Sequence, residues 1–174
     1  MKLVVATPLY PPDIGDPAPY VKELASRLVN NNHQISIVAY GRLPEPVPGA
    51  SLSMVDKRTF TPLRVVRFFF TLLRTLKGAD VLYIQSGISV ELPTLIALMF
   101  AHPHHILYRQ SAEPKKRNLL YRNIQRHIKT RAITIESPLS LVRPEILPLE
   151  PFPQNDFAIY EQAWTEHIAQ LEHL

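Results

Sequence analysis

The chain has 174 residues, 46% of them hydrophobic, with 19 Lys and Arg against 15 Asp and Glu. That is enough for one domain with a real core, and the net charge of +4 permits an anionic partner without demanding one. The absence of cysteine excludes disulfides and thiolate metal sites and points to a cytoplasmic home. The apolar start is too brief for a signal peptide, and the best apolar run, Leu92 to Ala101, is about half of the roughly 20 residues that a membrane span needs.

In chain order, Leu3 to Ala6 is a continuous apolar run of the kind that forms a buried strand. PPDIGDPAPY follows at 11–20, a loop with one glycine, Gly15, placed where α/β proteins often hold a phosphate. Asp16 and Pro17 make a sound helix start, with Asp as N-cap and Pro at the first helical position. The same two residues argue against an intact phosphate cradle, because the carboxylate repels an anion and Pro17 has no N–H to give.

Val21, Leu24, Ala25, Leu28 and Val29 recur at helical spacing, and the NNNH segment at 30–33 stops that helix. Ile35 to Ala39 reads as a second strand, and RLPEPVPG as a loop. A strand over Ser51 to Val55 precedes a helix from about Pro62 to Lys77. Strand Val81 to Ile84, helix Leu92 to Phe100, strand Ile106 to Arg109, helix Asn118 to Lys129 and strand Ala132 to Ile135 complete the series.

Strands separated by helices of this length need crossover connections. The expected fold is therefore α/β, a single Rossmann-like doubly wound parallel sheet with helices on both faces. Ligands on such sheets bind beyond the C-terminal strand ends, where the opening loop lies.

The segment SPLSLVRPEILPLEPFPQND carries five prolines in twenty residues and reads as an extended connector. It ends at Asn155 or Asp156, either a good N-cap for a last helix in which Phe157, Tyr160, Trp164, Ile168 and Leu171 form one stripe. The division is thus 1–137 for the sheet-and-helix unit, 138–156 for the connector and 157–174 for a helix returning onto the unit. From Arg109 to Arg131 there are eight Lys and Arg against one acid, Glu113, whereas no Lys or Arg follows Arg143. Such asymmetry would let the acidic last helix return over the domain and partly neutralise it.

The helix TPLRVVRFFFTLLRTLK puts Arg64, Arg67 and Arg74 on one face, with phenylalanines and aliphatic residues over much of the rest. It reads either as an interfacial helix on an anionic membrane surface or as a core helix with a basic solvated stripe. Strand alternation sends His104 and His105 to opposite faces, so no metal site is expected at HPHH. The basic run from Lys115 to Arg131 lacks interleaved aromatics apart from Tyr121 and does not read as a nucleic-acid site. Ser86, Gly87 and Ser89 suit a hydroxyl-rich ligand and equally a plain turn.

Residues 1–41 resemble the opening of family 4 glycosyltransferases with the GT-B fold: a strand, P-P-x-x-G-G, a helix containing Y-V-x-E-L-A, then G-H-x-V-x-V. Pro11, Pro12, Gly15, Tyr20, Val21, Glu23, Leu24, Ala25 and His33 match. ADVLYIQSG at 79–87 sits where the family has a strand of the form D-V-V-H-x-H, and the resemblance covers roughly residues 1–137. YEQAWTEHIAQLEHL is similar to the tryptophan-centred helix by which such chains cross from the second domain back onto the first.

The resemblance implies an acceptor-binding domain, half of a GT-B enzyme, with the donor-side domain absent and catalysis dependent on a donor-binding partner chain. Its acceptor would be a glycan or a lipid-linked sugar, with no cofactor, at the inner membrane face or free in the cytoplasm. Gly15, Asp16, Tyr20, Tyr83, Gln85, Ser86, Arg109 and Glu113 are the implied substrate contacts. Asp16 replaces the family's second loop glycine, and Tyr83 and Gln85 replace two histidines, so no catalytic base is evident. The alternatives are a non-catalytic glycan- or protein-binding module and a peripheral membrane module.

Overall fold

The most apolar runs of the chain become the middle of its sheet, because a central strand of a parallel sheet is covered on both faces. In a computed structural model, residues 1–13, 15, 17–110, 119–136 and 156–174 are described. The elements are β1 (Lys2–Thr7), α1 (Pro17–Asn30), β2 (Gln34–Tyr40), β3 (Ser51–Val55), α2 (Thr61–Thr75), β4 (Val81–Gln85), α3 (Ile88–Ala97), β5 (His105–Gln110), α4 (Leu119–Lys129), β6 (Ile133–Glu136) and α5 (Phe157–Glu172). The six strands run in the order β3-β2-β1-β4-β5-β6, and every pair is parallel. Val5 of β1 lies between Ile37 of β2 and Tyr83 of β4, which fixes the register at the centre. The architecture is the expected Rossmann-like α/β sheet with a C-terminal helix.

Right-handed crossovers decide which face each helix covers. The step from β1 to β2 moves one way along the sheet, and the steps β3 to β4, β4 to β5 and β5 to β6 move the other way. Helix α1 therefore packs on one face, where Val21, Leu24 and Leu28 meet Leu3, Val5 and Ile37. Helices α2, α3 and α4 pack on the other, where Phe68, Leu72, Val90 and Ile124 meet Val4, Ala6 and Leu82. This leaves the β4–β5–β6 half of the first face without a helix of its own. Helix α5 fills that place: Trp164, Ile168 and Leu171 share a core with Tyr83 and Leu107.

Local chemistry explains the ends. Helix α1 stops in a Schellman arrangement, with Asn32 at φ 62, its N–H on the Val29 carbonyl at 2.9 Å and the His33 N–H on the Leu28 carbonyl at 3.0 Å. Helix α5 begins at Asp156, whose carboxylate accepts from the N–H groups of Ala158 and Ile159. Its stripe differs from expectation at one end: Phe157 is 74% exposed, while His167, one turn after Trp164, is buried.

Helix α3 begins a turn earlier than the periodicity suggests, at Ile88 rather than Leu92, and so holds Pro93 in its interior. A proline there cannot bond the carbonyl four residues back, which belongs to Ser89. The Tyr40 hydroxyl donates to that carbonyl at 2.6 Å, which makes the early start tolerable. Burial pushes the Tyr40 phenol up to about 12 against the opposing influence of Arg64, so it donates throughout the physiological range. Tyr40→Phe should cost about 1–3 kcal/mol by leaving the Ser89 carbonyl unpartnered. An unchanged urea midpoint for that variant would show that the bond contributes nothing.

Candidate functional site at the sheet's switch point

The strand order reverses between β1 and β4, since the chain leaves these neighbouring strands toward opposite edges of the sheet. The resulting crevice at their C-terminal ends is where open α/β sheets bind ligands. Its floor is a polar pair: the Thr7 hydroxyl closing β1 donates to Gln85 Oε1 closing β4 at 2.9 Å, with both residues buried. Ser86 and Gly15 are half-buried at the rim, and the Ser86 N–H is held by the Arg109 carbonyl at 3.0 Å. Asp16 and Glu113 lie outside the described residues, as does the segment 137–155 that contains nearly all of the proline-rich connector.

The structure brings Tyr20, Tyr83 and Arg109 together, and it places them inside. The rings of Tyr20 and Tyr83 are 5.9 Å apart, and the Arg109 guanidinium lies 5.9 Å over the Tyr20 ring. Arg109 lies in β5 and is 3% exposed. Two residues that sequence reasoning did not offer for this site complete the cluster. Trp164 stacks on Tyr20 at 5.5 Å with 18° between the planes, and the Tyr20 hydroxyl meets His167 Nε2 at 2.7 Å. His167 stands three residues after Trp164 on the same helical face, so its burial was readable from the stripe.

This cluster is a fastening for α5 more than an open reaction chamber. A tyrosine–histidine pair covered by protein cannot exchange protons with a bound substrate at the crevice mouth in this arrangement. Among the described residues, the rim of backbone and small side chains at Gly15, Ser86 and Gly87 is partly accessible. Among the described residues, no group of three His, Asp or Glu side chains is arranged to hold a metal.

Charge completes the fastening of the returning helix on the domain. Glu161 of α5 takes a two-pronged bond from Arg27 of α1, at 2.9 and 2.6 Å, and the same guanidinium lies 5.0 Å over the Trp164 ring. Glu172 accepts from Asn31 at 2.9 Å and pairs with His33 at 2.8 Å. These partners belong to α1 and its C-terminal turn. Helix α4, which carries Arg122, Arg126 and Lys129 of the basic run, packs on the opposite face of the sheet from α5.

The carboxyl of Glu161 is held below its ordinary value by the bond from Arg27, and that of Glu172 by Asn31 first and His33 second. Carboxyls depressed in the folded state stabilise above their unfolded pKa, and that contribution is lost as pH falls through the folded value. The fastening should therefore weaken as pH drops below the ordinary glutamate value of 4.5. Thermal melts of the wild type and of Glu161→Gln, followed by circular dichroism, should converge as the pH is lowered through that window. A gap between them that stays constant with pH would refute the assignment.

Arg64, Arg67 and Arg74 do not share one environment. Arg64 turns against the Tyr40 ring at 5.4 Å and donates to the Lys57 carbonyl at 3.1 Å, so it leaves the expected basic stripe. Arg67 and Arg74 remain exposed. No helix among the described residues is long and apolar enough to cross a membrane. Comparison with protein-family models and with curated proteins found no match.

Proposed function

We propose that the chain provides the acceptor-side wall of a glycosyltransferase of the two-domain GT-B type that its opening resembles. The donor nucleotide sugar would be held by a second wall supplied from outside the described unit. Acceptor hydroxyls would meet the rim at Gly15, Ser86 and Gly87, above the Thr7–Gln85 floor. The observation that carries this reading is Trp164 of the last helix stacked on Tyr20 of the first. The family resemblance implies a tryptophan-centred helix crossing back onto the first domain, and crevice position alone would not require it.

The test is calorimetric titration of the chain with uridine- and guanosine-diphosphate sugars, and separately with oligosaccharide and polyprenyl-linked sugar acceptors. Acceptor binding without nucleotide binding is the expected result. Micromolar nucleotide-sugar binding would overturn the division of labour, because Asp16 and Pro17 disfavour a diphosphate.

One observation favours a second reading, a non-catalytic glycan- or protein-binding module. Tyr20, Tyr83, Gln85 and Arg109 are all buried, so the side chains nearest the crevice serve the core. Acceptor binding with no sugar transfer, even when a nucleotide-sugar-binding chain is supplied, would favour it.

A further inference from the structure

We propose that the outer face of α2, continued by the C-terminal end of α3, is a docking surface for an anionic lipid bilayer. The argument rests on exposure and charge, and it is independent of any sugar chemistry.

Helix α2 buries Phe68 and Leu72 and turns the opposite side outward. That outward side carries Leu63, Val66 and Phe70, the last 52% exposed. Positions 63, 66 and 70 follow the three-and-four spacing of one helical stripe. The stripe continues beyond the helix: the Phe69 ring lies 4.9 Å from Phe70 and 6.3 Å from Phe100, and Met99 and Phe100 are 69% and 66% exposed. A contiguous exposed patch containing two phenylalanines is not an ordinary feature of a solvated helix surface.

Cations stand within this apolar stripe. Arg67, Arg74 and Lys77 lie on the same outward side of the helix, all exposed. Between residues 57 and 79 there are six Lys or Arg and no Asp or Glu. A protein partner could match the apolar part with many surfaces. The absence of any acid along the stripe, with cations spaced among the bulky apolar groups, fits a surface that is apolar below and uniformly negative at its boundary. That is the interface of a bilayer containing acidic phospholipid, where phenylalanine and leucine enter the acyl boundary and guanidinium groups meet phosphates.

The fold places this face well for the purpose. Helices α1 and α5 occupy the other side of the sheet, so a bilayer on α2 leaves the fastening of α5 untouched.

The chain has no cysteine, so a single introduced one is a unique label site. The experiment attaches an environment-sensitive fluorophore at Phe70→Cys and, in a separate protein, at Thr165→Cys on the exposed side of α5. Each is mixed with vesicles of phosphatidylcholine alone or of phosphatidylcholine with phosphatidylglycerol. The expected result is a blue shift at position 70 with the phosphatidylglycerol vesicles only, and none at position 165. Co-sedimentation of unlabelled protein should show affinity for those vesicles falling by on the order of a hundredfold in the Arg67→Glu, Arg74→Glu, Lys77→Glu variant. It should also fall in Leu63→Ser with Phe70→Ser, whose exposed sites leave the fold intact.

Equal shifts at both positions, equal binding to phosphatidylcholine alone, or no sedimentation at all would each overturn the proposal. So would a concentration-dependent dimer abolished by Phe70→Ser, which would identify a second copy of the chain as the occupant. None of these outcomes bears on the sugar titrations, so the two readings fail separately.

Discussion

Trp164→Ala should lower the free energy of unfolding by about 3–5 kcal/mol, the range for truncating a buried large aromatic. Trp164 is 1% exposed and is met by rings on three sides: Tyr20 stacked, Tyr160 and His167 edge-on. Removing the indole leaves a cavity that Tyr20 cannot fill, because its hydroxyl is tied to His167. It also removes the surface on which the Arg27 guanidinium rests, so the Arg27–Glu161 bond loses its support. Against a typical total of about 5–15 kcal/mol, the loss brings the chain near its threshold. Trp164→Phe should cost clearly less, since the indole N–H has no hydrogen-bond partner among the described residues and phenylalanine retains the stacking surface. Urea titration followed by far-ultraviolet circular dichroism measures both variants. A cost below about 1 kcal/mol for the alanine variant would mean that α5 does not stabilise the sheet, and the reading of its stacked tryptophan would fall with it.

The architecture was readable because two periodicities carry most of it. Continuous apolar runs such as Leu3 to Ala6 can only be buried strands in a chain of this composition, and the Val21 to Val29 spacing can only be one helical face. Where reading failed, a long-range partner decided. The helix read from Leu92 begins at Ile88 and holds Pro93 inside, and the Tyr40 hydroxyl that takes up the Ser89 carbonyl comes from a strand 49 residues away. Arg64 looked like one of three equivalent solvated arginines until the Tyr40 ring claimed it. The stripe of outward apolar residues on α2 was hidden for a related reason: periodicity separates two faces but does not say which of two apolar faces the sheet takes.

At the candidate site, the loop and the strand ends were legible, because the strand-helix alternation fixes where β1 and β4 finish. The side chains there were a different matter. Tyr20 and Arg109 are amphipathic, able to serve a ligand or a core, and the choice was made by α5 arriving from the far end of the chain to cover them. Thr7 lies one residue past the apolar run Leu3 to Ala6 and carried no signal of its own, although a hydroxyl facing a glutamine on the adjacent strand makes a natural polar floor. The charge asymmetry announced a returning acidic helix but could not name Arg27 and His33 as its partners, because net charge along the sequence carries no information about which face a helix returns to.

One signal of long-range packing stood in plain view, a carboxylate in the apolar stretch ISVELPTLIA. Glu91 is fully buried in α3, where Tyr108 of β5 donates to its Oε1 at 2.6 Å and Gln125 of α4 reaches the same atom at 3.2 Å. Gln125 Nε2 also donates to the Tyr108 hydroxyl at 2.8 Å, so three elements close on one point. Burying a carboxylate is costly unless hydrogen bonds replace its water, and here both of these bonds converge on Oε1. The position in the first turn of α3 adds the favourable end of the helix dipole. Because Ser86 and Gly87 lead directly into that turn, Glu91 anchors the rim of the crevice from below. Glu91→Ala should therefore destabilise by about 2–4 kcal/mol, removing the carboxyl oxygen to which Tyr108 and Gln125 donate and leaving a small cavity beside it. Glu91→Gln keeps an acceptor oxygen and the volume, and should retain most of the stability. The decisive comparison is the pair of urea midpoints. If the alanine variant matched the wild type, the three-way contact would be incidental; if glutamine cost as much as alanine, an acceptor oxygen of the right size would not be what holds α3, β5 and α4 together.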